Sequence, residues 1–202
     1  MPAKAPIDFY FDFSSPYGYI ASTRIDEIAA RNGRAVVWRP ILLGVVFKTT
    51  GMGPLPSVPM KGEYSLRDFA RSARLMGVPF AMPKQFPFNA VQPSRVFYWL
   101  GGRDPDLARR FAKAAYHAAF PGQQDIAAAE ACAGIAATLG VKREDTLAAV
   151  NDPAIKEKLR AEVDAAIKKG VFGSPFIVVD GEPFWGADRL DHVERWMKTG
   201  GW

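Results

Sequence analysis

The stretch Ile7-Asp8-Phe9-Tyr10-Phe11-Asp12-Phe13-Ser14-Ser15-Pro16-Tyr17-Gly18-Tyr19 decides how this 202-residue chain is read. Its first five residues are aromatic and alternating, the mark of a short buried strand. From Tyr19 an apolar pattern of helical period runs to about Arg31. Between the two lies a strand-to-helix turn, with Ser15 set to cap the helix and Pro16 in its first turn, where proline is tolerated. A helix N-terminus presents free backbone N–H groups and partial positive charge, which favour a phosphate, a carboxylate or a thiolate. Taken alone, Ser15-Pro16 also describes an ordinary cap, so the rest of the chain has to decide.

Outward from that turn, Asn32-Gly33 stops the helix and Ala35-Val36-Val37-Trp38 forms a second strand ended by Pro40. Strand, helix, strand predicts a parallel pair with a right-handed crossover. At the far end, 176–180 reads as a strand, Gly181-Glu182 as a tight turn and Pro183-Phe184-Trp185 as a second strand, a hairpin with Asp-Gly chemistry at its tip. A last helix is expected over 190–197, with Asp188 placed to cap it. Between these ends, the apolar run 41–46 is a short helix or the exit of the strand, and 50–60 is a Gly- and Pro-rich loop. Helices are predicted at 66–76, 93–100, 105–120, 126–139, 143–150 and 153–169, with prolines at several starts and Gly77, Gly101 and Gly140 at ends. The aromatic, proline-broken segment 78–89 either packs on the core or lines a pocket. The outcome is an α/β domain split between 1–40 and 170–202, with a helical insertion over 41–169.

Composition narrows the function classes. Hydrophobic residues make up 49% and charged residues 23%, ordinary for a soluble globular protein with a sizeable core. The polar residues 1–6 lack the apolar core of a signal peptide and no later run is long enough for a bilayer, so the expectation is a cytoplasmic protein without a membrane partner. The net charge of +5 is scattered rather than blocked, which argues against nucleic acid. The single cysteine, Cys132, excludes an intramolecular disulfide and a Cys-x-x-Cys redox pair, and its alanine-rich helix suggests a buried, inert thiol. His117 and His192, both in predicted helices, give poor support for a zinc site.

A second constellation is Gly173-Ser174-Pro175-Phe176, where a proline opens a buried strand and cannot donate to the ladder. A cis Ser174–Pro175 bond would turn the Ser174 N–H and C=O outward toward a peptide-like ligand, but only about 5–6% of such bonds are cis, so the residues alone leave this open.

The order of these elements matches the thioredoxin-like plan with the insertion found in relatives of disulfide oxidoreductase A. Where those relatives carry Cys-x-x-Cys, this chain has Ser15-Pro16-Tyr17-Gly18. The segments Phe11-Asp12-Phe13-Ser14-Ser15-Pro16-Tyr17, Pro40-Ile41-Leu42-Leu43-Gly44, Gly170-Val171-Phe172-Gly173-Ser174-Pro175 and Phe184-Trp185-Gly186-Ala187-Asp188-Arg189-Leu190 together resemble the kappa-class glutathione transferases. Among these the chain is most similar to the 2-hydroxychromene-2-carboxylate isomerases of bacterial naphthalene and related aromatic breakdown. The resemblance spans essentially the whole chain.

The resemblance implies glutathione as cofactor, with the Ser15 hydroxyl, before Pro16, facing its sulfur. Ser174, before an expected cis Pro175, would pair with the cysteinyl part. Trp185, Gly186, Ala187 and Asp188 would hold the γ-glutamyl end, Asp188 taking the ammonium group. Lys61 would reach the glycine carboxylate or an acidic substrate. Two departures stand out: Ala187 where a serine is common, and Gly18 where a serine is frequent, the latter leaving room near the sulfur. The resemblance further implies a homodimer and a small aromatic carboxylate substrate, isomerised by reversible thiolate addition, bond rotation and expulsion of the thiolate. Candidates for an apolar slot with a cation or amide are Tyr17, Lys48, Lys61, Phe86, Phe88, Asn89 and Arg95. Ser15 as a hydrolase-type nucleophile lacks a His–acid pair in its motif. A general glutathione transferase or peroxidase, or a glutathione-binding protein without catalysis, are the alternatives.

Overall fold

The computed structural model describes residues 5–202; residues 1–4, and with them most of the polar segment 1–6, lie outside the described residues. The strands are β1 (Ile7–Phe11), β2 (Val36–Pro40), β3 (Phe176–Val179) and β4 (Glu182–Trp185). The helices are α1 (Pro16–Ser22), α2 (Ile25–Arg31), α3 (Leu43–Thr50), α4 (Lys61–Leu75), α5 (Val91–Gly101), α6 (Pro105–Ala119), α7 (Ala129–Ala137), α8 (Arg143–Asn151), α9 (Pro153–Lys168) and α10 (Leu190–Thr199). The sheet order is β2-β1-β3-β4. β1 pairs in parallel with β2, Phe9 opposite Trp38, and antiparallel with β3, Phe9 opposite Ile177. This is a thioredoxin-like α/β fold whose sheet is built from the two ends of the chain, with α3–α9 between them.

The alternation of β1 explains how sheet and inserted helices come to share one core. Phe9 and Phe11 lie on one face, and Phe11 meets Phe13, Trp38, Phe97 and Tyr116 with ring centroids 5.2–5.8 Å apart. Phe97 and Tyr116 come from α5 and α6, so burying one strand face docks the helical segment. The segment 78–89 packs on this core: Phe80 stacks on Phe120 at 5.6 Å, and the Tyr19 hydroxyl donates to the Pro79 carbonyl at 2.8 Å.

Several boundaries differ from the sequence expectation, each for a local reason. The helix expected to run unbroken to Arg31 is two helices. The Ser22 and Thr23 hydroxyls donate to the carbonyls of Tyr19 and Ile20, and the Thr23 and Arg24 amides also turn back three residues, ending α1 in a tight turn. β2 continues through Pro40, which an edge strand tolerates. The run 41–46 resolves as the start of α3, and α4 begins at Lys61, five residues before the expected start at 66. The Asp125 carboxylate accepts from the Ala127 N–H at 2.9 Å in a local turn, delaying α7 to Ala129. Asp188 does not cap the last helix: Ala187–Arg189 form a 3₁₀ turn, and the Asp188 carboxylate lies 3.4 Å from Arg189.

The hairpin has Asp-Gly at its tip as expected, with Asp180 at φ 53° and Gly181 at φ 91°, but the turn is Asp180-Gly181 rather than Gly181-Glu182, and Glu182 already belongs to β4. Buried Arg34 grips the Asp180 carboxylate through both terminal nitrogens, at 3.0 and 2.7 Å. Cys132 is buried, and burial pushes its thiol up to about 12, consistent with an inert side chain. Among the described residues no helix is long and apolar enough to cross a membrane.

Because the rings of Phe13, Trp38, Phe97 and Tyr116, and that of Phe9, stacked at 5.4 Å, close on Phe11, its truncation to alanine is expected to lower stability by about 3–5 kcal/mol, measured by urea unfolding. A loss below about 1 kcal/mol, the level of an ordinary surface substitution, would contradict this account of the core.

Candidate active site

The turn after β1 and the loop before β3 meet through two serines. Ser15, only 5% exposed, N-caps α1: its hydroxyl oxygen accepts from the Gly18 N–H at 3.0 Å. The same hydroxyl donates to the Ser174 carbonyl at 3.0 Å. In return the Ser174 hydroxyl oxygen accepts from the Asp12 N–H at 2.9 Å. The Ser174–Pro175 bond is cis. The expectation that a cis bond leaves the Ser174 carbonyl free therefore needs correcting, because Ser15 already occupies it. The Ser174 N–H has no hydrogen-bond partner among the described residues.

Beneath this junction lies Asp12, a buried carboxylate that the sequence reading did not single out. It accepts from the Ser14 N–H at 2.7 Å, the Ser14 hydroxyl at 2.6 Å and the Leu43 N–H at 2.7 Å. Its backbone carbonyl accepts from the Ser15 N–H and from the Tyr116 hydroxyl, at 2.9 and 2.8 Å. Burial pushes the Asp12 carboxyl up from its ordinary value, and the hydrogen bonds from Ser14 and Leu43 work against that rise. The Asp-x-Ser pattern is a turn signal that could have revealed the first contact. Nothing local could have revealed Tyr116.

Gly18 does not leave room beside this junction. A Cβ there would lie 2.6 Å from the Tyr116 hydroxyl and 2.8 Å from the Ser174 hydroxyl oxygen, so the space expected near the sulfur is filled by those two groups.

Tyr17 forms another side of the site. Its ring meets Phe69 edge-on at 4.9 Å, and its hydroxyl donates to Asp68. Burial, then Asp68, drives the Tyr17 hydroxyl well above its usual range. Asp68 is held low despite burial by hydrogen bonds from Tyr17 and Arg71. Tyr64 and Asp188 add smaller electrostatic contributions in the same direction. Phe86 continues the ring series, 6.2 Å from Phe69. Lys61 is exposed at the start of the same helix as Asp68, two turns or about 10 Å before it on one face.

Beyond the cis bond, Trp185 is 52% exposed and meets Phe172 edge-on at 5.0 Å over Gly173. The Gly186 N–H donates to the Pro175 carbonyl at 3.1 Å. With φ at 115° and no space for a Cβ beside the Asp188 carboxylate, position 186 requires glycine. Ala187 is buried, while the Asp188 side chain is 71% exposed.

The remaining candidates lie elsewhere. Lys48 is exposed in the last turn of α3 and, among the described residues, makes no hydrogen bond or ion pair with the Ser15 turn, where Asp12 and Ser15 bond to Gly18, Leu43, Tyr116 and Ser174. The Asn89 side chain accepts from the Val91 N–H at 2.9 Å, an engagement at the start of α5. Phe88 packs toward Phe120 at 6.3 Å, and Arg95 lines a separate cavity. The junction thus offers a hydroxyl and an amide without a partner among the described residues, and the loop after β4 an exposed carboxylate, but no strong nucleophile.

Gly18→Ala is expected to destabilise the protein by about 1–3 kcal/mol through overpacking, although alanine favours helices. Adding Tyr116→Phe should recover part of that loss in a double-mutant cycle by thermal unfolding. Strict additivity of the two changes would show that the clash is elsewhere.

A sequence profile of the DSBA-like thioredoxin domain matches residues 6–198. The chain is 32% identical to a 2-hydroxychromene-2-carboxylate isomerase of Sphingobium xenophagum, aligned over 95% of this chain and 97% of that protein. It is 29% identical to the glutathione S-transferase kappa 2 of Caenorhabditis elegans, over 98% of this chain and 93% of the relative. A solved 2-hydroxychromene-2-carboxylate isomerase superposes with a TM-score of 0.86 at 28% identity, covering 95% of this chain and 94% of that one.

Proposed function

The chain belongs to the DSBA-like thioredoxin family, in its group of 2-hydroxychromene-2-carboxylate isomerases and kappa-class glutathione transferases, and we propose that it is a glutathione-dependent isomerase of the 2-hydroxychromene-2-carboxylate type. The observation that carries this reading is the Ser15–Ser174 hydrogen bond beside an unpartnered Ser174 N–H. Such a site suits a peptide-like thiol. An open backbone N–H and a C=O held only by a side-chain hydroxyl can pair with the cysteinyl backbone, and the hydroxyl stands beside them. When bound, glutathione supplies the sulfur nucleophile that this chain lacks.

Ser15 acts by exchange. With a thiol bound, its proton would turn from the Ser174 carbonyl toward the sulfur and favour the thiolate, and the Ser174 carbonyl would be left to accept a backbone N–H of the ligand. The Gly18 N–H keeps the Ser15 oxygen in place during that rotation. Asp188, exposed and only loosely paired, takes the γ-glutamyl ammonium group, next to Trp185, Gly186 and Ala187. Lys61 receives a carboxylate from glutathione or substrate. The substrate is a flat aromatic carboxylate placed along Tyr17 and Phe86, with Tyr17 fixed by Asp68. The protein works in the cytoplasm as a homodimer, in bacterial breakdown of aromatic compounds. A second reading, a transferase with a broader range of electrophiles, is favoured by the open Phe172–Trp185 face.

Ser15→Ala should leave the fold intact and reduce isomerisation of 2-hydroxychromene-2-carboxylate by about 10²–10³ in kcat, the loss typical of one donor aimed at developing negative charge. Unchanged turnover would refute the role. Exhaustive removal of glutathione should abolish activity and its return should restore it; full activity without it would overturn the cofactor assignment. Faster conjugation of a chloro-dinitrobenzene acceptor than isomerisation would favour the transferase.

A further inference from the structure

A second cavity, of about 280 Å³, opens between α3, α5 and α9, and none of Ser15, Ser174, Trp185 or Asp188 lines it. Its walls are aliphatic, with Leu42 and Val45 on one side and Leu159 and Val163 on the other. Arg95 supplies a cation to this apolar space. One terminal nitrogen, Nη1, donates to the Val150 carbonyl at 3.0 Å, while Nε is buried without a partner. Among the described residues Arg95 has no ion pair, unlike Arg34 and Arg39, which are held by Asp180 and Asp8. Burial lowers the Arg95 pKa, so its surroundings leave the positive charge under-compensated.

With Nη1 engaged and Nε closed off by burial, Nη2, which has no hydrogen-bond partner among the described residues, is the nitrogen left to donate to a carboxylate oxygen. Lys156 and Arg160 add positive charge at the exposed rim, although Arg160 is tied to Glu157 at 2.9 Å. Asp164 is the acidic group of the lining and makes no ion pair with Arg95. Three cations against one acid favour an anion, and the aliphatic walls favour an apolar body attached to it.

We propose that this cavity is a second ligand site, which takes a small carboxylate with an apolar body and holds its charge on Arg95. The site stands apart from the glutathione reading and needs neither glutathione nor turnover for its test.

The probe is benzoate, titrated into the full chain without glutathione and followed by amide NMR, with neutral benzyl alcohol as control. Benzoate should shift the amides of 42–46, 91–96 and 159–164 saturably, whether or not it also shifts 14–18 and 172–176 by entering the proposed active site. Benzyl alcohol should bind at least about ten-fold more weakly, the loss expected without a charge-assisted pair. Arg95→Gln should weaken benzoate by about ten-fold or more for the same reason. Should that variant fail to fold, the rim substitution Val45→Asp keeps the test alive, since an added anion at the mouth should weaken benzoate comparably. Non-saturating shifts, shifts confined to 14–18 and 172–176, equal affinity for the alcohol, or undiminished affinity in a folded Val45→Asp would each overturn the proposal.

Discussion

The structure turns on a buried carboxylate that makes no ion pair among the described residues. Asp12 is buried just past the end of β1, and its oxygens accept from two amides and a hydroxyl. An ionised group so placed is tolerable only when its lone pairs are occupied, so each donor is a constraint on the fold. The Leu43 amide fixes the start of α3. The Ser14 donors shape the turn that delivers Ser15. The backbone of Asp12 adds Tyr116 from the helical segment and Ser174 from the far end of the chain. Sheet, inserted helices and C-terminal hairpin thus converge on a single residue, directly under the proposed sulfur site.

That convergence explains how a thioredoxin-like site can be organised without its cysteine pair. In place of a disulfide-forming pair, the turn is tied to the far end of the chain, with the Ser15 hydroxyl donating to the Ser174 carbonyl and the Asp12 N–H donating to the Ser174 hydroxyl. The Ser15 hydroxyl donates to a backbone carbonyl, with its oxygen pinned by the cap of α1, and in the proposed function it is from this position that it would turn to a thiol. Gly18 packs tightly against Tyr116 and Ser174 and keeps the two elements close. Opposite, Tyr17 is locked by Asp68 and Phe69, so α4 presents Lys61 and Tyr64 beside a rigid aromatic wall.

How far this was legible from residues depends on range. Ser15 as a cap, the Asp-Gly hairpin and the glycine- and proline-bounded helices are local signals; the cap and the Asp-Gly tip stand as read, and the helices exist as read although α4, α5 and α7 start at other residues. The meeting of Ser15 with Ser174 rests on the order of elements rather than on any local pattern. Asp12 and Tyr116 escaped because their contacts span 104 residues, and the bond from Asp12 to Ser174 spans 162. The split between α1 and α2 escaped because Ser22 and Thr23 fit a helical pattern, while their hydroxyls close the turn. Lys48, Asn89 and Arg95 were grouped by chemistry alone, and chemistry does not say toward which side a helix or loop will carry a side chain.

The central claim is that the Ser15 hydroxyl lowers the pKa of a thiol held against Ser174. The most direct measurement is the ultraviolet thiolate absorbance of bound glutathione as a function of pH, in the native protein and in Ser15→Ala. The account predicts a bound thiol that titrates at least about one unit below the free-cysteine value near 8.5, and a return toward that value in the variant. A bound thiol that titrates like the free one, or a lowered pKa that persists without the hydroxyl, would contradict it.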